Sequence, residues 1–241
     1  MSIPGSQATP PDTPGTRPPE PARLLLIRHG QSTWNDERRI QGQLDPPLSK
    51  LGHEQARRLA ARLSGRRFEG FYSSDLTRTR ETAEEIARVI GRQPVLMPAL
   101  REVMLGDWEG LRTEDIEKRF PEDWLRWREL PSWDIPPGGE GAAPFEARVL
   151  RVIDEILVRH PQGQTLIVTH GGVIQVALGR LLRSTSDGLF PFVIDNCSIS
   201  TLLRGPARTV IAGVNDTCHL VSGDTSYTTG RERSGGLGGV Y

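Results

Sequence analysis

Lysine is nearly missing from these 241 residues: Lys50 and Lys118 are the only two, so almost all of the 30 basic side chains are arginine. Thirty acidic residues cancel them, and the net charge is zero. A chain with no charge excess and no long basic stripe is not built to hold nucleic acid or an anionic membrane as its main partner. Its cations must act locally, where the planar fork of arginine suits phosphate. Codon bias in a G+C-rich genome accounts for the surface arginines. Cysteine is scarce as well. Cys197 and Cys218 lack metal-ligand spacing and fall in segments that read as late strands, which favours two buried thiols over a bridge. No His-x-His, Cys-x-x-Cys or His-Glu-x-x-His occurs, so no metal is expected. No apolar run approaches the roughly 18 residues of a membrane span, and no signal-peptide pattern opens the chain. A cytoplasmic location is the expectation.

What is present divides into three stretches. Residues 1–21 hold seven prolines with Gly, Ser and Thr and no apolar run, and are expected to be a Pro-rich tail without a core. Residues 222–241 are rich in Gly, Ser and Thr and read as a flexible tail. Between them, 22–221 is long enough for one large α/β domain. Leu24 to Ile27 reads as a buried strand, and a helix follows over about 50–64, capped by Ser49 with Leu51, Ala56, Leu59, Ala60 and Leu63 inward. A strand at 71–73 leads into a helix that Ser74 would cap, with Leu76, Ala83, Ile86, Ala87 and Ile90 inward and Gly91 as its stop. Residues 112–143 read as an insertion, helical and looped, covering the site. Its Trp124, Trp127 and Trp133, with Trp108 before it, are expected to pack rather than stack on substrate. Helices at about 144–159 and 173–182 flank a strand that ends at Thr169, and short strands near 198–203 and 210–214 follow. Such alternation predicts a three-layer α/β/α sandwich with a mostly parallel central sheet.

Chemistry concentrates at strand ends. The first strand stops in Arg28-His29-Gly30, followed by Ser32 and Asn35; a later apolar run, 166–169, stops in His170-Gly171-Gly172. Carboxyl ends of parallel strands are where open α/β sheets gather ligands, so both histidines are expected at one sheet edge. Between them lie SSDLTRTRETAEEIARVI at 73–90 and LREVMLGDWEGL at 100–111. A lone Arg-His-Gly is weak evidence; these four segments in this order are specific. From about Arg23 to about Leu220 the chain resembles the histidine phosphatase superfamily, which also contains the cofactor-dependent phosphoglycerate mutases.

The resemblance implies a metal-independent reaction with no cofactor, acting on a small phosphorylated metabolite. Phosphoryl transfer needs neutralised equatorial oxygens, an in-line nucleophile and a proton for the leaving oxygen. His29 would be the nucleophile, kept neutral beside Arg28, with its other ring nitrogen donating to a backbone carbonyl. Arg28, Arg78 and His170 would surround the phosphoryl oxygens. Arg78 stands on the first turn of its helix, and Arg80 points about 200° away around that helix and cannot share the pocket. By resemblance, Ser32, Asn35, Gln41, Gly42 and Gly171 are further phosphate contacts, and Glu102 is the proton donor, its carboxyl lifted towards neutrality by burial. Asp107 and Glu109 are nearby alternatives expected to shape the loop. Gly138-Gly139-Glu140 is readable as a phosphate nest or as an ordinary loop, and Gly141 stands where the family often has serine. His53, His160 and His219 read as a surface residue, a helix C-terminal cation and a strand end.

Three activities fit such a pocket: a phosphatase, a mutase primed by 2,3-bisphosphoglycerate, and a phosphate binder without turnover. The full catalytic set argues against the binder. Mutases of the family continue Glu-Arg-His-Tyr-Gly after the acid, whereas this chain has Glu102-Val103-Met104-Leu105-Gly106. The apolar step resembles the family's broad-specificity phosphatases, so phosphomonoester hydrolysis is the expectation and the mutase the alternative. Leaving group and oligomeric state are left open.

Overall fold

The computed structural model describes residues 21–182 and 191–221. The expectations for the two tails fall outside them, apart from Pro21. Six strands form one sheet: β1 (Ala22–Arg28), β2 (Gly70–Ser73), β3 (Val95–Leu96), β4 (Gln164–Thr169), β5 (Ile199–Arg204) and β6 (Thr209–Asp216). Their order is β3-β2-β4-β1-β5-β6. From β3 to β1 every pairing is parallel; β5 runs antiparallel to β1, and β6 antiparallel to β5. Among the described residues seven helices accompany the sheet: α1 (Thr33–Asp36), α2 (Lys50–Leu63), α3 (Thr77–Ile90), α4 (Thr113–Arg119), α5 (Pro121–Glu129), α6 (Ala142–Arg159) and α7 (Gly171–Leu182).

Alternation along the strands makes the layers. In β1, Leu25 and Ile27 join Phe71, Leu166 and Val168 in a core shared with α2 and α3. Leu24 and Leu26 face the other way, with Tyr72 and Ile167, into a larger core with α6 and α7. Successive side chains of a strand point to opposite faces, so a strand buried on both reads as a continuous apolar run. This is the mixed α/β sandwich expected, and every parallel strand delivers its carboxyl end to the same edge.

The segment 112–143 contributes α4 and α5, and its indoles lie deep in the larger core. Trp108 packs edge-on against Trp124 and Trp127, Trp127 meets Trp133, and Trp133 meets Phe145 of α6. Four details depart from expectation. Leu51 is exposed, because Gly52 instead faces the Gly30–Gln31 turn, where a Cβ would stand 2.0 Å from the Gln31 carbonyl. α3 starts at Thr77, with Leu76 rather than Ser74 at the cap position. The edge strand β3, two exposed residues, has no period to announce it. Cys197 is a buried free thiol, but Cys218 is an exposed one, in a short 3-10 turn after β6.

Candidate active site

The carboxyl ends of β1, β2 and β4 bring together Arg28, His29, Ser74 and His170, while the first turn of α3 supplies Arg78 and the 100–104 loop Glu102. All six are buried. The two imidazoles lie with ring centroids 5.3 Å apart. His29 Nδ1 donates to the Gly30 carbonyl at 2.7 Å, so the proton sits on Nδ1 and Nε2 carries the lone pair. Burial, then Arg78 and Arg28, hold the His29 pKa well below its ordinary 6.5. His170 is depressed likewise, by burial first and Arg78 second. Both rings are therefore neutral near neutrality.

Four of the buried side-chain nitrogens in this region meet no partner within the described protein: Arg28 Nε, Arg78 Nε, Asn35 Nδ2 and His170 Nδ1. An unpaired buried polar group costs about 1–3 kcal/mol, so four on predicted site residues make this a candidate binding site. One further donor of Arg28 and two of Arg78 go to carbonyls. Arg28 Nη1 reaches Ile194 O at 2.6 Å, and Arg78 reaches Leu44 O and Gly42 O at 2.8 and 2.7 Å. No carboxylate contacts either guanidinium among the described residues, so their charge is left for a ligand. Burial lowers the pKa of Arg78 to about 10, which still keeps it cationic at pH 7.

Glu102 is held carboxylate-first: Oε1 accepts from Val103 N and Oε2 from Gly172 N, both at 3.0 Å. Burial raises its pKa, against these two N–H groups and the charges of Arg78 and Arg28. The alternatives lie elsewhere in the loop. Glu109 Oε1 accepts from Gln43 N and Leu105 N at 2.9 Å each, shaping the turn as expected, and Asp107 is exposed.

The other predicted contacts form a backing layer. Ser32 caps α1; its Oγ accepts from Asn35 N at 3.0 Å and lies 2.8 Å from Gln41 Oε1. Asn35 Oδ1 accepts from Ser32 N at 3.0 Å, which turns its amide nitrogen the other way. Gly42 meets the site through its carbonyl, bonded to Arg78. Gly171 opens α7, but the bond to Glu102 comes from Gly172. Arg80 is exposed. Of the remaining histidines, His53 lies about 4 Å from Glu81 and Glu85, His160 meets Tyr72 OH at 2.8 Å, and His219 meets Cys197 O at 3.0 Å.

Sequence reasoning missed four residues. Ser74 Oγ meets His170 Nε2 at 2.9 Å, and Thr82 Oγ1 accepts from Gly30 N at 3.0 Å. Asn196 Nδ2 donates to His29 O at 3.0 Å. Gly172 is required by space: a Cβ there would stand 2.4 Å from Glu102 Oε1. Ser74 had a signal, its place just past the carboxyl end of β2; Asn196 and Thr82 had none.

Residues 24–217 match the sequence model of the histidine phosphatase superfamily (branch 1). The chain belongs to that superfamily. It is 36% identical over 198 residues to phosphoserine phosphatase 1 of Hydrogenobacter thermophilus, covering 82% of this chain and 94% of that one. It is 40% identical over 157 residues to phosphoglycerate mutase-like protein 4 of Arabidopsis thaliana, 64% of this chain and 68% of that one. Among solved structures, Bacillus stearothermophilus YhfR superposes with a TM-score of 0.75 at 32% identity, covering 83% of this chain and all of the other. Histidine phosphatases are enzymes of phosphoryl transfer. No helix among the described residues is long and apolar enough to cross a membrane.

Proposed function

We propose that this protein hydrolyses small phosphomonoesters, without a metal, through a phosphohistidine on His29. The observation that carries the reading is the set of unpaired buried nitrogens on Arg28, Arg78, Asn35 and His170 near a histidine whose Nε2 is left unprotonated. In the first step Nε2 attacks phosphorus, the P–N bond forms and the P–O bond to the leaving group breaks. Glu102, as the carboxylic acid, gives its proton to the departing oxygen. In the second step water attacks phosphorus, its proton returns to the Glu102 carboxylate, and the P–N bond breaks to release phosphate. Arg28 and Arg78 neutralise the equatorial oxygens in both steps, and His170 and Asn35 donate to them. Ser32, itself bonded to Gln41, holds Asn35, and the Gly42 carbonyl holds Arg78.

Hydrolysis is favoured over transfer between carboxylated substrates by the step after the acid. Val103 and Leu105 are buried in the core and Met104 is exposed, so residues 103–105 bring no cation to a substrate carboxylate. The test is phosphate release, with EDTA present, from a panel that includes phosphoserine and p-nitrophenyl phosphate, beside interconversion of 2- and 3-phosphoglycerate. Release that His29→Ala abolishes, with negligible interconversion, is expected. Interconversion primed by 2,3-bisphosphoglycerate would make the protein a mutase, and a fully active His29→Ala variant would sink the mechanism.

A further inference from the structure

The Gly138-Gly139-Glu140 turn faces the loop that carries Glu102. Gly106 could bear no side chain, since a Cβ there would stand 2.2 Å from the Pro137 carbonyl, so the two loops touch backbone to backbone. Glu140 N donates to Met104 O at 2.9 Å, and Met104 N donates back to Glu140 Oε2 at 3.3 Å. The Glu140 carboxylate in turn holds Arg148 of α6, accepting from Nε at 2.8 Å and Nη2 at 2.7 Å.

Arg148 then spends everything it has left on the acid loop. Nη1 donates to Ala99 O at 3.0 Å and Arg101 O at 2.8 Å, and Nη2 to Glu102 O at 3.3 Å. A guanidinium has five N–H donors, and all five are placed. Three carbonyls, of residues 99, 101 and 102, and one carboxylate on a single planar guanidinium make a set of five bonds that an ammonium, with three donors, cannot reproduce. The same side chain lies over the ring of Phe145, 5.1 Å from its centroid, and the Phe145 ring edge stands against Gly172, whose N–H holds the other end of Glu102. Arg148 therefore grips the Glu102 backbone directly, while the Phe145 ring beneath it backs the N–H that holds the carboxylate.

We propose that Arg148, clamped by Glu140, is a positioning residue for the acid Glu102, acting through the backbone of residues 99–104. The proposal rests on the phosphatase reading above. Arg148 touches no reacting atom; it fixes where the carboxyl proton stands relative to the leaving oxygen. A displacement of about 1 Å in such a group is worth about 100-fold in rate, and the loss falls on substrates that need the proton. An aryl phosphate such as p-nitrophenyl phosphate leaves without it. An alkyl phosphate does not.

The experiment compares kcat/KM, which reports the first half-reaction, for p-nitrophenyl phosphate and for the best alkyl phosphate of the panel. Arg148→Met is expected to lose about 10- to 100-fold on the alkyl ester and less than about threefold on the aryl ester. Inhibition by orthovanadate, a phosphate mimic, is expected to stay within about twofold, because the phosphate donors are untouched. Arg148→Lys should recover only part of the alkyl activity. Equal losses on both esters, or no loss on either, would overturn the proposal. Should Arg148→Met fail to fold, Glu140→Gln decides by the same ratio, with a smaller loss of about 3- to 10-fold on the alkyl ester expected and an unchanged ratio counting against the proposal. Glu102→Gln separates the two failures. If it too loses equally on both esters, the acid assignment falls and takes the proposal with it; if it is selective and Arg148→Met is not, the positioning role alone is wrong.

Discussion

Gly172→Ala is a one-carbon perturbation whose effect follows from the site. The added Cβ would stand 2.4 Å from Glu102 Oε1 and 3.2 Å from its carboxyl carbon, with Phe145 behind it at 3.4 Å. Ordinary contact begins near 3.4 Å, so the carboxylate must retreat by about 1 Å, and the phenyl ring blocks relief by moving the helix. A shift of about 1 Å in a proton donor costs about 100-fold, or about 2.7 kcal/mol of transition-state stabilisation. Stability moves little. Alanine in a helix gains about 1 kcal/mol over glycine, which offsets much of the roughly 1.5–3 kcal/mol at risk in the bond from Gly172 N to the carboxylate. The variant should thus fold with a Tm near that of the parent and lose about 100-fold in kcat/KM on an alkyl phosphate, with p-nitrophenyl phosphate nearly spared. The assay is steady-state kinetics on both esters beside thermal unfolding. Alkyl activity within about threefold of the parent in a folded variant would refute the reasoning, because a carboxylate displaced that far cannot remain the acid.

The pH profile of kcat/KM should have two limbs of known sign. Activity rises as His29 loses its proton, at a pKa held well below 6.5, and falls as Glu102 ionises, at a pKa raised above 4.5. Glu102→Gln should remove the descending limb, and a parent profile that only ascends would contradict the assignment. The buried histidines also set acid stability. His29 and His170 bind protons more readily unfolded than folded, so their contribution is complete above about pH 6.5 and is lost as pH falls towards their folded values, at about 1.4 kcal/mol per unit for each. Urea unfolding at pH 7 and pH 5.5 should show the loss, with a shallower slope in His170→Gln. Asp75 and Asp216, whose pKa values are lowered by Arg101 and Arg62, act only below about pH 4, whereas His160 and His219, lowered by burial, add slopes of the same sign and Glu102, raised by burial, one of the opposite sign. Trp127→Ala empties a fully buried site in the larger core and should cost about 3–5 kcal/mol in a denaturant titration. A change below about 1 kcal/mol would mean that α5 is a detachable cover rather than part of the core.

By itself the sequence determined the layers and the candidate residues at the strand ends. β1 and β4 are buried on both faces, so each is an unbroken apolar run that ends where a charged or ring-bearing residue must leave the core, at Arg28 and His170. The helical period located α2 and α3, and the helix geometry that separates Arg78 from Arg80 holds in the fold. Local pattern carries this because each of these residues is placed by its own element. Tertiary structure decided the rest, since the remaining roles depend on approaches between segments distant in the chain. Ser74 was legible as a cap and instead meets His170, 96 residues away. Gly138-Gly139-Glu140 was legible as a nest or as an ordinary loop, and its contact with the Glu102 loop was not legible, because the partner that gives Glu140 its meaning, Arg148, lies nearly two turns into the next helix. Gly172 had no assigned role until Glu102 was brought against it. A hydrogen bond or a steric limit between distant segments leaves no period and no spacing in either, so only the assembled fold shows which residues hold the catalytic groups in place.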